Sequence, residues 1–191
     1  MKRIPIVIVF LILVSSVAYG QQNYLITGNS AGNIKLGMTV AQARKAMKSF
    51  GLRRITDGDG AALIEVRRGG KEIMTLYAGE ENPNTKINER AKIEQINVWD
   101  SRYRTSNGVH PDMLVRDAER VLGKVKEVFM SEFESREYAV FRKMPKGLLF
   151  RIDVNTEGKY FTAGIYPNGE RRGTQYVLTA YIIGIQISDF E

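Results

Sequence analysis

Strand-length apolar segments recur along this chain at short intervals, and that recurrence restricts what it can fold into. LRRIT and ALIEVRR flank Asp57-Gly58-Asp59-Gly60. Gly69-Gly70 then separates ALIEVRR from EIMTLYA, the signature of a two-residue hairpin turn. KIEQINVWD follows a polar loop, GEENPNTKINE. Later come VKEVFM, REYAVFRK, GLLFRIDV, KYFTAGIY and YVLTAYIIGIQIS, with PNGERRG as a hairpin loop. Strands this short and closely spaced predict antiparallel pairing.

Only two stretches carry a helical period. In IKLGMTVAQARKAM, Thr39 and Gln42 form a Thr-x-x-Gln capping box. Val40, Ala43, Met47 and Phe50 fall on one face, and Gly51 is the expected stop. VHPDMLVRDAERVL repeats this with Val115, Ala118 and Val121/Leu122, stopped by Gly123. Here Leu114 replaces the capping Thr, and Asp112 offers a substitute cap. Met38, Val40 and Ala43 align with Met113, Val115 and Ala118, and Ile93, Ile96 and Asp100 align with Ile182, Ile185 and Asp189. Repeated element order points to a duplicated unit. The expected fold is α+β, with two tandem units, each a helix packed on one face of an antiparallel sheet of about four strands. The boundaries read as a leader over 1–20, a lead-in over 21–32, a first unit over 33–103 and a second over 104–191.

The Gly-Met-Thr opening at Gly37–Thr39 resembles that of small bacterial envelope domains. The SmpA/OmlA (BamE-like) outer-membrane assembly lipoproteins have it, and so do the tandem repeats of secreted β-lactamase-inhibitor proteins. The first resemblance implies an accessory of outer-membrane assembly held by a lipid on a cysteine. This chain has no cysteine. The second implies a two-repeat protein binder with a concave sheet face. Neither carries a site residue over to this chain.

Lys2 and Arg3, the apolar run from Ile4 to Val14 and the small residues of SSVAYG have the three-part layout of a secretory signal. Cleavage is expected after Gly20, with Ala18 as the alternative. The apolar run is shorter than the roughly 20 residues a bilayer span needs, so no transmembrane segment is expected after cleavage. The mature protein is then expected in a periplasm or outside the cell. Without cysteine, its stability must come from a packed core rather than disulfides. The formal net charge is +7, which favours an anionic surface as a possible partner. The basic residues form no single tract, so nucleic acid is not expected.

The catalytic inventory is thin. His110 is the sole histidine and precedes Pro111 at a helix start, where a turn role suits it better than base catalysis. Thiol catalysis and most zinc sites need residues the chain lacks. DGDGAALIE has Ala61 and Ala62 where a calcium loop needs an oxygen ligand and a glycine. No catalytic residue, metal site or cofactor is therefore assigned. In KIEQINVWD, Ile96 and Val98 alternate with Gln95, Asn97 and Trp99. In GLLFRIDV, Leu148, Phe150, Ile152 and Val154 alternate with Arg151 and Asp153. Gln95, Asn97, Trp99 and Arg151 thus become candidate binding residues on a sheet face turned away from the helices. Burial of Trp99 between the two units is the competing reading. The expected function is non-catalytic binding of an envelope or secreted protein. The alternatives are a carboxylate enzyme using Asp57, Asp59, Glu94 or Asp100, and a basic protein held on an anionic surface.

Overall fold

Turn chemistry and alternation decide most of the architecture. The structure is a computed structural model that describes residues 24–58, 60–132, 135–154 and 162–189. The leader over 1–20 lies outside the described residues, as do Asp59 and the first three residues of KYFTAGIY. Three short strands come first, β1 (Leu25–Thr27), β2 (Ser30–Ala31) and β3 (Ile34–Lys35), then helix α1 (Val40–Ala46). β4 (Gly51–Thr56), β5 (Ala62–Arg68), β6 (Lys71–Tyr77) and β7 (Gln95–Val98) follow. After β8 (Arg104–Thr105) come helix α2 (Val115–Leu122), β9 (Val125–Met130), β10 (Glu137–Phe141) and β11 (Leu148–Val154). The last elements are β12 (Gly164–Ile165), a 3-10 turn at Pro167–Gly169, β13 (Arg172–Gly173), β14 (Gln175–Tyr176) and β15 (Ala180–Ser188).

The expectation of two helix-plus-sheet units in an α+β fold does not hold. The described chain is mostly β, with two short helices and one nine-stranded antiparallel sheet of order β13-β9-β10-β11-β15-β7-β6-β5-β4. The reason lies at the centre. β7 and β15 were each expected to end a sheet of their own. Instead they pair with each other, Ile185 opposite Val98 and Ile187 opposite Ile96. Two separate sheets would each leave such a strand with an unpaired row of N–H and C=O groups. Pairing removes both edges and buries Ile96, Val98, Ile185 and Ile187 completely. From this centre the order runs outward as β7-β6-β5-β4 on one side and β15-β11-β10-β9 on the other.

The two helix starts use the same hydrogen bonds. Gly37 N donates to Ile93 O at 2.7 Å, and Ile93 N donates to Met38 O at 2.8 Å. Asp112 N donates to Ile182 O at 2.7 Å, and Ile182 N donates to Met113 O at 2.8 Å. Gly37 and Asp112 both have positive φ, 79° and 71°. The starts differ in capping. Gln42 N donates to Thr39 Oγ1 and Thr39 N donates to Gln42 Oε1, a complete capping box. α2 begins at Leu114 with no side-chain cap, so Asp112 does not take the capping role expected of it. α1 also ends at Ala46 rather than near Gly51, because Gly51 already opens β4 opposite Arg67.

Val40, Ala43, Val115, Ala118 and Leu122 of the helices join one apolar cluster with Ile64, Met74, Leu76, Ile96 and Phe150 of the sheet. Each of the larger side chains among these contributes about 1.5–3 kcal/mol, and each alanine methyl less than about 1 kcal/mol. β1 pairs in parallel with β8, tying the lead-in to the patternless SRYRTSNG segment in a small sheet of order β3-β2-β1-β8. No helix of the described residues is long and apolar enough to cross a membrane.

Candidate functional site

The core-facing side chains occupy one face of the large sheet, and alternation sends a polar set to the other. Paired positions form a row across five strands: Arg53, Glu65, Thr75, Asn97 and Gln186. A second row continues on the far side of the β7–β15 junction: Gly184, Arg151, Tyr138, Phe129 and Arg172. Trp99, immediately after β7, lies over Gly184, where a Cβ would overlap its ring.

The first row is joined by amide and hydroxyl contacts. Gln186 Nε2 donates to Gln95 Oε1 at 3.1 Å, Gln95 Nε2 to Asn97 Oδ1 at 3.3 Å, and Asn97 Nδ2 to Thr75 Oγ1 at 3.4 Å. Glu65 is buried and takes a 2.8 Å ion pair from Arg53. The second row is a ladder of rings and guanidinium groups. The Arg151 guanidinium is 5.5 Å from the Trp99 ring, Phe129 and Tyr138 stack at 5.4 Å, and Arg172 is 5.3 Å from Phe129. Such contacts each contribute about 0.5–1.5 kcal/mol. The rows meet in a small depression lined by Asn97, Trp99, Arg136, Tyr138, Arg151 and Gln186. The Trp99 Nε1 atom is buried and meets no hydrogen-bond partner within bonding geometry among the described residues. The Glu72 carboxyl of β6 still senses it electrostatically; burial and the neighbouring Glu65 raise that carboxyl above its ordinary range.

One ion pair shows how this face is shaped. Arg136, just before β10, holds Asp57, just after β4, at 3.1 Å, with side-chain exposures of 18% and 11%. Five strands separate β4 from β10. Six inter-strand steps would place them about 29 Å apart in a flat sheet. Contact requires the sheet to curl toward its polar face, in the sense that accumulated twist permits. Curling also accounts for the burial of Thr75, Asn97 and Tyr138 on the face opposite the two described helices.

All four residues expected from the sequence lie on this face. Asn97, Trp99 and Arg151 line the depression, and Gln95 sits at its edge, bonded to Asn97 and Gln186. Trp99 is half-buried, packed on Gly184 rather than enclosed in a core between two units. Three of the residues lining the depression, Tyr138, Gln186 and Arg136, were missed. Tyr138 alternates with Ala139 and Phe141 and could have been found. Gln186 was hidden by a register shift opposite Arg151 and Ile152, which puts Ile182 and Ile185 on one face although three positions apart. Arg136 and the reach of Asp57 left no periodic signal.

The carboxylates considered for catalysis do not converge. Asp57 is bound to Arg136. Arg102 donates to both oxygens of Asp100 and holds that carboxyl below its usual range. Glu94 reaches toward Gly79 in the loop after β6. Among the described residues no group of three or more His, Asp or Glu could hold a metal ion. His110 Nδ1 is bonded to the Pro111 carbonyl, a contact within its own turn. Elsewhere, Glu137 is buried and accepts from Ala163 N, Gly164 N and the Tyr166 hydroxyl, pinning β12 to β10. Burial and that carboxylate push the Tyr166 hydroxyl well above its ordinary pKa.

No family model matches the chain, and no curated protein matches it. Among solved structures, the crystal structure of the uncharacterized protein YfeY from Escherichia coli is similar, with a TM-score of 0.56 at 12% identity, over 85% of this chain and 98% of that one. At that identity the likeness is one of fold alone.

Proposed function

We propose that this chain is a non-catalytic binding protein of the bacterial envelope that engages another protein through the polar face of its curled sheet. The observation that carries this reading is the meeting of the two rows at Trp99. An indole, a tyrosine, two arginines and three side-chain amides gather at one place on that face. Aromatic and arginine side chains are the residues that dominate protein recognition. The leader-like first twenty residues and the envelope-type Gly-Met-Thr opening support export as its setting.

The test is photo-crosslinking in intact cells from a benzoylphenylalanine placed at Gln186, with Lys45 on the exposed side of α1 as the comparison. A discrete protein adduct is expected from position 186, none from 45, and loss of the adduct when Arg151→Glu is added. Equal adducts from both positions, or none from 186, would overturn the reading.

A further inference from the structure

A second concavity, of about 530 Å³, shares no residue with the depression at Trp99. One wall is the β12–β14 ribbon, where Gly164 pairs with Tyr176 and Ile165 with Gln175. Ile165, Tyr166, Tyr176, Val177 and Leu178 line it. Ile165 and Leu178 are 46% and 69% exposed, the most exposed large apolar side chains among the described residues. The polar groups beside them are already bonded. Thr162 Oγ1 donates to Gly164 O at 3.0 Å, and Val177 N donates to Ala163 O at 2.8 Å. Gly164 N and the Tyr166 hydroxyl each donate to Glu137 Oε1 at 2.8 Å. Ala180 N donates to Val177 O at 2.8 Å. The Tyr176 hydroxyl faces Glu119, and burial together with that carboxylate pushes it up to about 12.

We propose that this concavity holds the tail of a single-chain anionic amphiphile, an alkyl carboxylate. Its volume lies within the roughly 300–1,000 Å³ of small-ligand sites. A sugar or a peptide would bring hydroxyls or amides into a lining whose polar groups are already bonded. Each one left unpaired costs about 1–3 kcal/mol. An alkyl tail brings none, and it covers Ile165 and Leu178. The head group follows from the neighbouring charges. Glu119, Arg116 and Asp117 all act on Tyr176. Glu119 has its own cation in Lys124 at 2.9 Å, and Asp117 has Arg120 at 3.3 Å. Arg116 is exposed on α2 and makes no hydrogen bond or ion pair among the described residues. Its charge is the uncompensated one, and it favours an anionic head over a cationic one.

The test is calorimetric titration of octanoate, decanoate and dodecanoate, each below its micelle concentration, into the full mature protein at low salt. One molecule should bind per chain, and each added methylene should tighten binding by about two- to fourfold. Leu178→Asp should abolish binding. Leu178 is largely exposed, so the fold should tolerate the change, and an unaltered far-UV spectrum checks this. Arg116→Glu should weaken dodecanoate by about fivefold and strengthen dodecyltrimethylammonium by a similar factor. That exchange of preference is a readout a folding defect would not give. No saturable dodecanoate binding, an affinity independent of chain length, or undiminished binding by Leu178→Asp would overturn the inference. Equal affinity for the two head groups in wild type would overturn the role given to Arg116. A wild-type dimer that Leu178→Asp turns into a monomer would assign the apolar patch to a second copy instead and overturn the inference. None of these results depends on the crosslink at position 186, so the two readings fail separately.

Discussion

Gly184 has no side chain because Trp99 occupies the space above it. A Cβ there would overlap the indole. Gly184→Ala should destabilise the protein by about 1–3 kcal/mol, as overpacked sites do. Urea unfolding gives the value, and a red-shifted emission from Trp99 would show that the ring had moved. An unchanged midpoint and spectrum would mean the indole is not seated there. The orientation of individual side chains was largely readable beforehand. Period-two alternation in KIEQINVWD and GLLFRIDV turned Gln95, Asn97, Trp99 and Arg151 to the face opposite the helices. It failed at Gln186, where the register shift breaks the period. It was silent on Arg136, which lies outside any strand.

The two helix starts share a backbone but not a cap. Thr39→Ala should remove the α1 capping box and cost about 1 kcal/mol. Asp112 holds the positive-φ position that glycine fills at Gly37. Asp112→Gly should therefore raise stability by about 0.5–1 kcal/mol, and Gly37→Ala should lower it by about 1–2 kcal/mol. Denaturant titration of the three variants separates these signs. If Asp112→Gly destabilises, the aspartate makes a contribution beyond its backbone. The Thr39 cap, the Gly69-Gly70 turn and the echo of Met38 at Met113 were open to inspection in the sequence, because each depends on neighbouring residues. The early end of α1 was not. It follows from Gly51 pairing with Arg67, sixteen positions away.

Joining β7 to β15 makes the nine strands a single hydrogen-bonded body. Unfolding should then be one cooperative event. Trp99 fluorescence, which reports on the β7 side, and far-UV circular dichroism, which reports on all strands, should give coincident urea midpoints. Separated midpoints would show two independently stable halves. Local periodicity could not reveal this pairing, because it joins Gln95–Val98 to segments some ninety residues later. The same distance hid the curl that brings Asp57 to Arg136. That curl, clasped over a polar face, is the centre of the account. Acrylamide quenching of Trp99 tests it most directly. Asp57→Asn should raise the quenching constant by about twofold as the clasp opens, while Arg44→Gln, which breaks an exposed pair with Glu89 on the helix side, should leave it unchanged. Equal quenching in wild type and Asp57→Asn would contradict the clasp.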